Sequence, residues 1–234
     1  YHGRVGSPHQ VSMIVEIAMV SEDKDRLSVG VIVAHPDDET LWVGGTLLLH
    51  PEWRCYIVAL SRGSDADRAP RFSRVLAQYG AAGQLGDLDD GPEQTPLADE
   101  DVQETIIRLT AGRTFDLLFT HGPQGEYTRH RRHEETSRAV LTLWREGRLL
   151  SPRLRLFAYG DSGRTSFPHA RSDATLQTVL PSPVWAEKYR IIHEMYGFAA
   201  DSWEAQVTPA IEAFWQFTST EALERWLRTQ REVP

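Results

Sequence analysis

The stretch from Leu27 to Leu49, LSVGVIVAHPDDETLWVGGTLLL, limits the fold more than any other part of the chain. Leu27 to Ala34 is short, rich in β-branched residues and apolar on both faces, the pattern of a strand buried in a parallel sheet. Pro36 lacks the amide that a sheet ladder needs, and Asp37 and Asp38 are poor strand formers, so the strand must stop at Ala34 or His35. Asp38, Glu39 or Thr40 then starts a helix that runs to about His50. Ligands of open α/β sheets bind beyond the carboxyl ends of the strands, which puts His35, Asp37 and Asp38 at the expected functional edge. Gly44 and Gly45 are expected to let the helix lie close to the sheet, at some cost in helix propensity.

The same alternation continues down the chain. Arg54–Leu60, a short run at Ala82–Leu85, Phe115–Thr120 and Leu154–Tyr159 read as strands, and Val11–Val20 as an added edge strand. Helical spacing marks Arg71–Gly80, Val102–Ala111 and Glu134–Arg145, then Trp185–Met195, Ile211–Phe217 and Thr220–Arg228. The acidic segment 86–101 and the stretch 160–183 read as loops. The expected fold is α/β: a Rossmann-like, mostly parallel sheet flanked by helices, with a helical C-terminal portion. Residues 1–10, YHGRVGSPHQ, read as a disordered extension or an expression remnant, and residues 11–234 as one domain.

Composition narrows the partners. A formal charge of -8 argues against a general nucleic-acid binder. The single cysteine, Cys55, excludes an internal disulfide and suits a reducing compartment. No apolar run is long enough to span a bilayer, and Glu16 interrupts the stretch from Met13 to Val20 that would otherwise suggest a signal peptide. A cytoplasmic location is the expectation.

Two polar clusters carry the chemistry. One is His35-Pro36-Asp37-Asp38-Glu39; the other is His130-Arg131-Arg132-His133, after Gly125-Glu126. Both follow buried strands at one sheet edge, so they can meet. A His and a carboxylate from one loop with a His from another form a three-ligand set for a catalytic Zn2+, and the assignment is His35, Asp38 and His133. Fe2+ or Co2+ can share such a set. Asp37 is then left beside the ion, placed to take a proton from an attacking water. His130 is placed to hold the oxyanion or to protonate the leaving group. Taken singly, each cluster has a plainer reading: a helix-capping turn for the first, a chance spacing on a charged helix for the second. Their joint occurrence, each after a buried strand, favours a metal site. His121, just past a strand, is either a support for the cluster or a loop residue.

His35 to Thr46, HPDDETLWVGGT, resembles the signature of the PIG-L (LmbE-like) zinc-dependent N-acetylglucosaminyl de-N-acetylases, in which A-H-P-D-D-E precedes G-G-T. Thr120-His121-Gly122, Gly125-Glu126 and His130-x-x-His133 resemble that family's second motif, and the resemblance covers about Leu27 to Val140. It implies metal ligands at His35, Asp38 and His133, a general base at Asp37 and a transition-state histidine at His130. The chain departs from the pattern twice: Arg132 stands where an Asp usually precedes the last His, and Leu88-Asp89-Asp90-Gly91 stands where L-P-D-G is common. Beside a divalent ion, a cation at 132 must either face outward as a solvated helix-start residue or point inward and meet an anion, such as a substrate carboxylate or phosphate. Arg62 and Arg68 fall where relatives contact substrate.

The resemblance implies removal of an N-acetyl or similar acyl group from a small-molecule amino-sugar conjugate. Its rivals are an amidase acting on a thiol conjugate or an antibiotic intermediate, and a non-catalytic sugar-binding module. A dinucleotide-binding protein is disfavoured, because the first turn lacks G-x-G-x-x-G.

Overall fold

The computed structural model describes residues 26–127 and 130–231. At its centre runs β1 (Ser28–Val33), whose side chains alternate between two apolar layers. Val29, Val31 and Val33 pack on one face of the sheet with Trp42 and Phe72, and Ile32 packs on the other with Ile106 and Val140. This double burial explains an apolar run with no polar face. β2 (Arg54–Ser61) and β4 (Leu117–Thr120) flank β1 in parallel. β3 (Ala82–Leu88) extends the sheet beyond β2, and β5 (Leu154–Phe157) extends it beyond β4. The far side is antiparallel: β9 (Ile211–Phe217) pairs with β5, and β8 (Leu176–Val179) pairs with β9. A small ribbon of β6 (Tyr159–Gly160) and β7 (His169–Ala170) stands apart.

Helices α1 (Asp38–Leu49) and α2 (Arg68–Gln78) contribute to the first apolar layer, together with the π-helical turn Ile191–Met195 that continues α5 (Ser182–Arg190). Helices α3 (Asp99–Thr110), α4 (Arg131–Arg145) and α7 (Thr220–Arg231) contribute to the second. The short α6 (Trp203–Val207) lies against the π-helical turn. The sheet order β3-β2-β1-β4-β5-β9-β8 makes the chain move outward from β1 to β3 and then cross back to β4. The crevice between the carboxyl ends of β1 and β4 is therefore the topological switch point, where such sheets bind ligands. Thr120 fixes that edge by donating its hydroxyl to the Ile32 carbonyl at 2.8 Å, and Ser61 does the same to Ala34 at 2.8 Å.

The mostly parallel sheet with flanking helices, and helices near the C-terminus, agree with the expected fold. Ile211–Phe217 corrects it: this segment is β9, not a helix. Ala213, Trp215 and Phe217 face one apolar layer and Phe214 the other, a period of two that a seven-residue aromatic run does not reveal from sequence. β3 and α3 both reach into the segment read as a loop, and α3 opens on Asp99, Glu100 and Asp101, acids favoured near a helix N-terminus. The segment 160–183 likewise contains β7 and β8. The expected strand at Val11–Val20 and the extension 1–10 lie outside the described residues.

Gly45 fulfils its expectation through side chains: a Cβ there would come within 2.4 Å of Leu180 Cδ1 and 3.0 Å of Glu212 Oε1. Cys55 is buried, and burial pushes its thiol up to about 12. No helix among the described residues is long and apolar enough to cross a membrane.

Candidate active site and metal centre

The turn between β1 and α1 is held in a costly shape. Asp37 has φ of +127°, a backbone conformation that residues with a Cβ rarely adopt. Its amide donates to Glu39 Oε2 at 3.0 Å, and the same buried carboxylate accepts Thr40 Oγ1 at 2.6 Å and Tyr196 OH at 2.7 Å. Glu39 thus braces the turn from behind. It is one of the first acids of α1, and both of its oxygens are occupied by the protein.

The bracing brings three donors together. His35 Nδ1 lies 3.1 Å from Asp38 Oδ2, His133 Nε2 lies 3.3 Å from Asp38 Oδ1, and the two imidazole nitrogens are 3.3 Å apart. The two histidines meet different oxygens of Asp38, and their own 3.3 Å separation is close to the edge of a tetrahedron whose metal–ligand bonds are ~2.0 Å. Among the described residues, the groups of three with ligand atoms close enough to share an ion are His35, His130 and His133, and Asp38, His121 and His133; the set His35, Asp38 and His133 draws two members from each. His121 is committed elsewhere, since its Nε2 accepts the Ala34 amide at 3.0 Å. Its Nδ1 meets Glu126 Oε2 at 2.8 Å, and His133 Nδ1 meets the same oxygen at 2.6 Å. Glu126 therefore fixes the ring orientation that turns His133 Nε2 toward His35 and Asp38, as carboxylates do behind metal-binding histidines. His35 Nε2 meets Asp90 Oδ1 at 3.2 Å, which turns Nδ1 inward in the same way.

The electrostatics of the donor set fit a divalent ion. Asp38 and Glu126 are buried, and among the described residues their ion-pair partners are histidines. Against the upward push of burial, His133 and His121 hold Asp38 well below the usual carboxylate range, and the same two histidines draw Glu126 down to about 2. Burial lowers His35, yet Asp38 and Asp90 outweigh it and raise the imidazole to about 9. For His121 the two sides conflict. Burial and the Ala34 amide favour the neutral ring, whereas Glu126 and Asp38 pull it up to about 9. An Nε2 lone pair that accepts an amide belongs to the neutral form. His130 goes the opposite way: burial, then His133 and His35, push it down to about 3. Its Nδ1 is buried with no hydrogen-bond partner among the described residues.

Asp37 stands apart from the donors. Burial and the neighbouring Asp38 raise its pKa well above the usual value, while Arg68, 3.1 Å away, pulls the other way. A carboxylate of raised basicity, oriented by one guanidinium, is suited to accept a proton. A cavity of about 210 Å³ opens on it, walled by His35, Asp38, Arg68, Asp90, His130 and Trp203, among others. Sequence reasoning gives Asp90 and Trp203 no role. Asp90 lies in a noted motif but shows its role only by reaching His35 across the fold, and Trp203 sits in a short helix without a motif.

Arg132 overturns the solvated reading and follows the inward one, with anions of the protein itself in place of a substrate's. It is buried rather than solvated, and its fork is already filled by the protein: Glu135 Oε2 at 2.5 Å, Asp89 Oδ2 at 3.2 Å, and the carbonyls of Asp89 and Thr95 at 2.6 and 2.9 Å. The two departures from the family pattern thus meet each other, Arg132 against Asp89. Arg62 is similarly engaged with Asp90 at 2.6 Å.

Comparisons with known proteins bear on the family and the fold. The family model for PIG-L, GlcNAc-PI de-N-acetylase, matches residues 30–144, which contain both clusters. The fold is similar to that of N,N'-diacetylchitobiose deacetylase from Pyrococcus horikoshii, with a TM-score of 0.61 at 14% identity over 93% of this chain and 95% of that one. It is also similar to a deacetylase of the teicoplanin biosynthesis pathway, at TM-score 0.55 and 14% identity over 82% of this chain and 100% of the other. A conserved protein from Thermus thermophilus matches at TM-score 0.54 and 20% identity, over 81% of this chain and 94% of that one. No curated protein matches in sequence. The family model spans the HPDDE turn and the H-x-x-H helix, and the strand order joins them, so residues 30–144 of the chain match the PIG-L family of de-N-acetylases.

Proposed function

We propose that this protein is a metal-dependent de-N-acetylase of amino-sugar conjugates, with His35, Asp38 and His133 holding the ion and Asp37 as general base. The observation that carries the reading is the 3.1–3.3 Å convergence of those three donors beside a basic, unligated carboxylate. The nitrogen and oxygen donor set suits Zn2+, with Fe2+ or Co2+ as chemical alternatives. A divalent ion held there would acidify water and polarise an amide carbonyl.

The chain's own groups do the rest. Asp37 takes a proton from the water whose oxygen attacks the acetyl carbonyl, while Arg68 keeps its carboxylate aimed. His130, neutral by burial, offers a ring N–H to the oxygen that gains negative charge. The carbonyl carbon–nitrogen bond then breaks, Asp37 returns its proton to the departing nitrogen, and acetate and a free amine result. An amino-sugar substrate is supported by the family's description and by the diacetylchitobiose specificity named for one structural relative.

Metal analysis combined with an acetate-release screen over N-acetylglucosamine conjugates tests this. About one divalent ion per chain and acetate release are expected; no bound ion and no activation by added zinc would remove the site. The ligand choice is tested separately. His35→Ala is expected to weaken zinc binding more than His121→Ala does, and the reverse order would transfer the ligand role to His121.

A further inference from the structure

A second recess, of about 500 Å³, lies beside the catalytic cavity and shares Tyr127 and Trp203 with it. The two shared rings pack 4.5 Å apart between centroids, and Tyr127 stands 5.5 Å from the His130 ring and 5.4 Å from that of His133. An aromatic surface therefore runs outward from the reacting groups. The opposite flank of the site, beyond His130, is a charged groove with Arg62, Arg131, Glu134 and Arg138 in its lining.

The outer wall of the recess is the turn 161–168, and it is held in an unfavourable shape. Ser162, Gly163 and Arg164 have φ of +52°, +71° and +70° in succession, and two of the three carry a Cβ. Buried Asp161 holds the turn closed: its carboxylate accepts the Gly163 amide at 3.1 Å, and its carbonyl accepts the Thr165 and Ser166 amides at 3.1 and 3.2 Å. Strain held by so many bonds points to a use for the shape. What the turn presents is Phe167, 47% exposed and the one aromatic among the large exposed apolar side chains of the described residues. Phe167 lines the recess together with Pro168 and Trp203.

We propose that the recess between Trp203 and Phe167 is a subsite for a second ring of the substrate, joined by a glycosidic bond to the N-acetylated sugar. The ring would be six-membered, with an apolar face for the aromatic wall and polar edges toward the rim; a pyranose and an aryl aglycone both offer that chemistry. This rests on the de-N-acetylase reading, because it assigns the first ring to the catalytic cavity.

Phe167→Ala and Phe167→Trp are compared with the unmodified protein on N-acetylglucosamine, N,N'-diacetylchitobiose and 4-nitrophenyl N-acetyl-β-glucosaminide. Phe167 is exposed and is not part of the lining of the catalytic cavity, so one-ring turnover is expected to stay within about twofold. On the two-ring substrates Phe167→Ala is expected to lose about five- to tenfold in kcat/KM, through KM, and Phe167→Trp to retain most of it. Loss on the disaccharide alone identifies a pyranose; loss on the nitrophenyl glycoside alone identifies an aryl group. Equal effects on one-ring and two-ring substrates, or no effect on any, would overturn the subsite. Should no compound release acetate, the de-N-acetylase reading fails, and calorimetry with the same compounds still decides the subsite. Two-ring binding weakened five- to tenfold by Phe167→Ala would support it, and binding that is absent or indifferent to Phe167 would overturn it.

Discussion

Two buried polar clusters grip helix α1, and they differ in completeness. At the middle of the helix, Glu212 from β9 accepts the amides of Gly45 and Thr46 at 2.7 Å each and the Thr46 hydroxyl at 2.6 Å. Lys188 completes the cluster, 2.8 Å from Glu212 and also donating to the Pro209 carbonyl at 3.1 Å. Both charges are fully buried, and each is answered by an opposite charge and by hydrogen bonds. At the first turn, Asp38 and Glu126 are buried against histidines, with His130 Nδ1 left unpaired among the described residues. A complete cluster is a joint, and an incomplete one with convergent donors is a site. The antiparallel edge thus anchors the helix whose first turn carries the proposed site.

Substitutions at the two clusters should separate along that line. The largest effect is expected for Asp37→Asn: a turnover loss of roughly 10²–10⁴-fold with metal content and thermal midpoint unchanged, since a base is removed and no ligand touched. Steady-state kinetics on an acetate-releasing substrate read this, and a loss under about tenfold would give the base role to another group. Glu212→Ala should do the opposite. Removing it strands the Lys188 ammonium in the core, a loss of about 3–5 kcal/mol in urea unfolding, with turnover per folded molecule retained. Should Glu212→Ala spare stability and abolish turnover, the division between joint and site would be wrong.

A smaller effect is expected at Glu126, which sits between the two kinds of cluster. Among the described residues its ion-pair partners are histidines, yet its bonds to His121 and His133 are both closed. Both rings meet one oxygen and the other accepts the Gly122 amide, so in Glu126→Gln the side-chain nitrogen faces either both rings or the Gly122 amide. Zinc titration should show ~10–100-fold weaker binding with the fold intact. Unchanged affinity would mean that His133 is oriented by packing alone.

The same contrast explains what the sequence makes legible. The first cluster is contiguous: a strand ending in Pro, a His and two acids can be read in order, and helix α1 begins at Asp38, the first of the expected starts. His130 and His133 follow β4, so their meeting with His35 follows from the strand pattern. Glu126 and His121 are visible in the sequence as residues but not as partners, because the bond that joins them is set by a loop conformation. The Glu212–Lys188 joint leaves no trace there, since its members are separated along the chain and one lies in a seven-residue run that also fits a helix. Arg132 misleads for a related reason. A cation in a charged run reads as solvated, and only the path of the segment around Asp89 and Thr95 shows that it is enclosed.

That enclosure gives the smallest and sharpest test. Arg132 ties the start of α4 to the segment 89–97 through Glu135, Asp89 and Thr95, and Leu97 donates its amide to the same Glu135 at 3.1 Å. Asp90, next to Asp89, is the residue that turns His35 inward. Arg132 therefore belongs with the joint by its bonds and with the site by what it positions. Arg132→Lys keeps the charge beside Glu135 and loses the planar fork that reaches Asp89 and Thr95 together, a cost of about 1 kcal/mol. Asp89 is itself largely exposed, 59% of its side chain, so its ion pair with Arg132 carries little of that cost. Asp89→Ala in a double-mutant cycle should show weak coupling, and Glu135→Gln a stronger one. Turnover should fall no more than about threefold, within the reach of a loosening of about 1 kcal/mol. A collapse of turnover at unchanged stability would instead show that the Arg132 fork sets the geometry around His35, and the line between joint and site would have to be drawn on the other side of it.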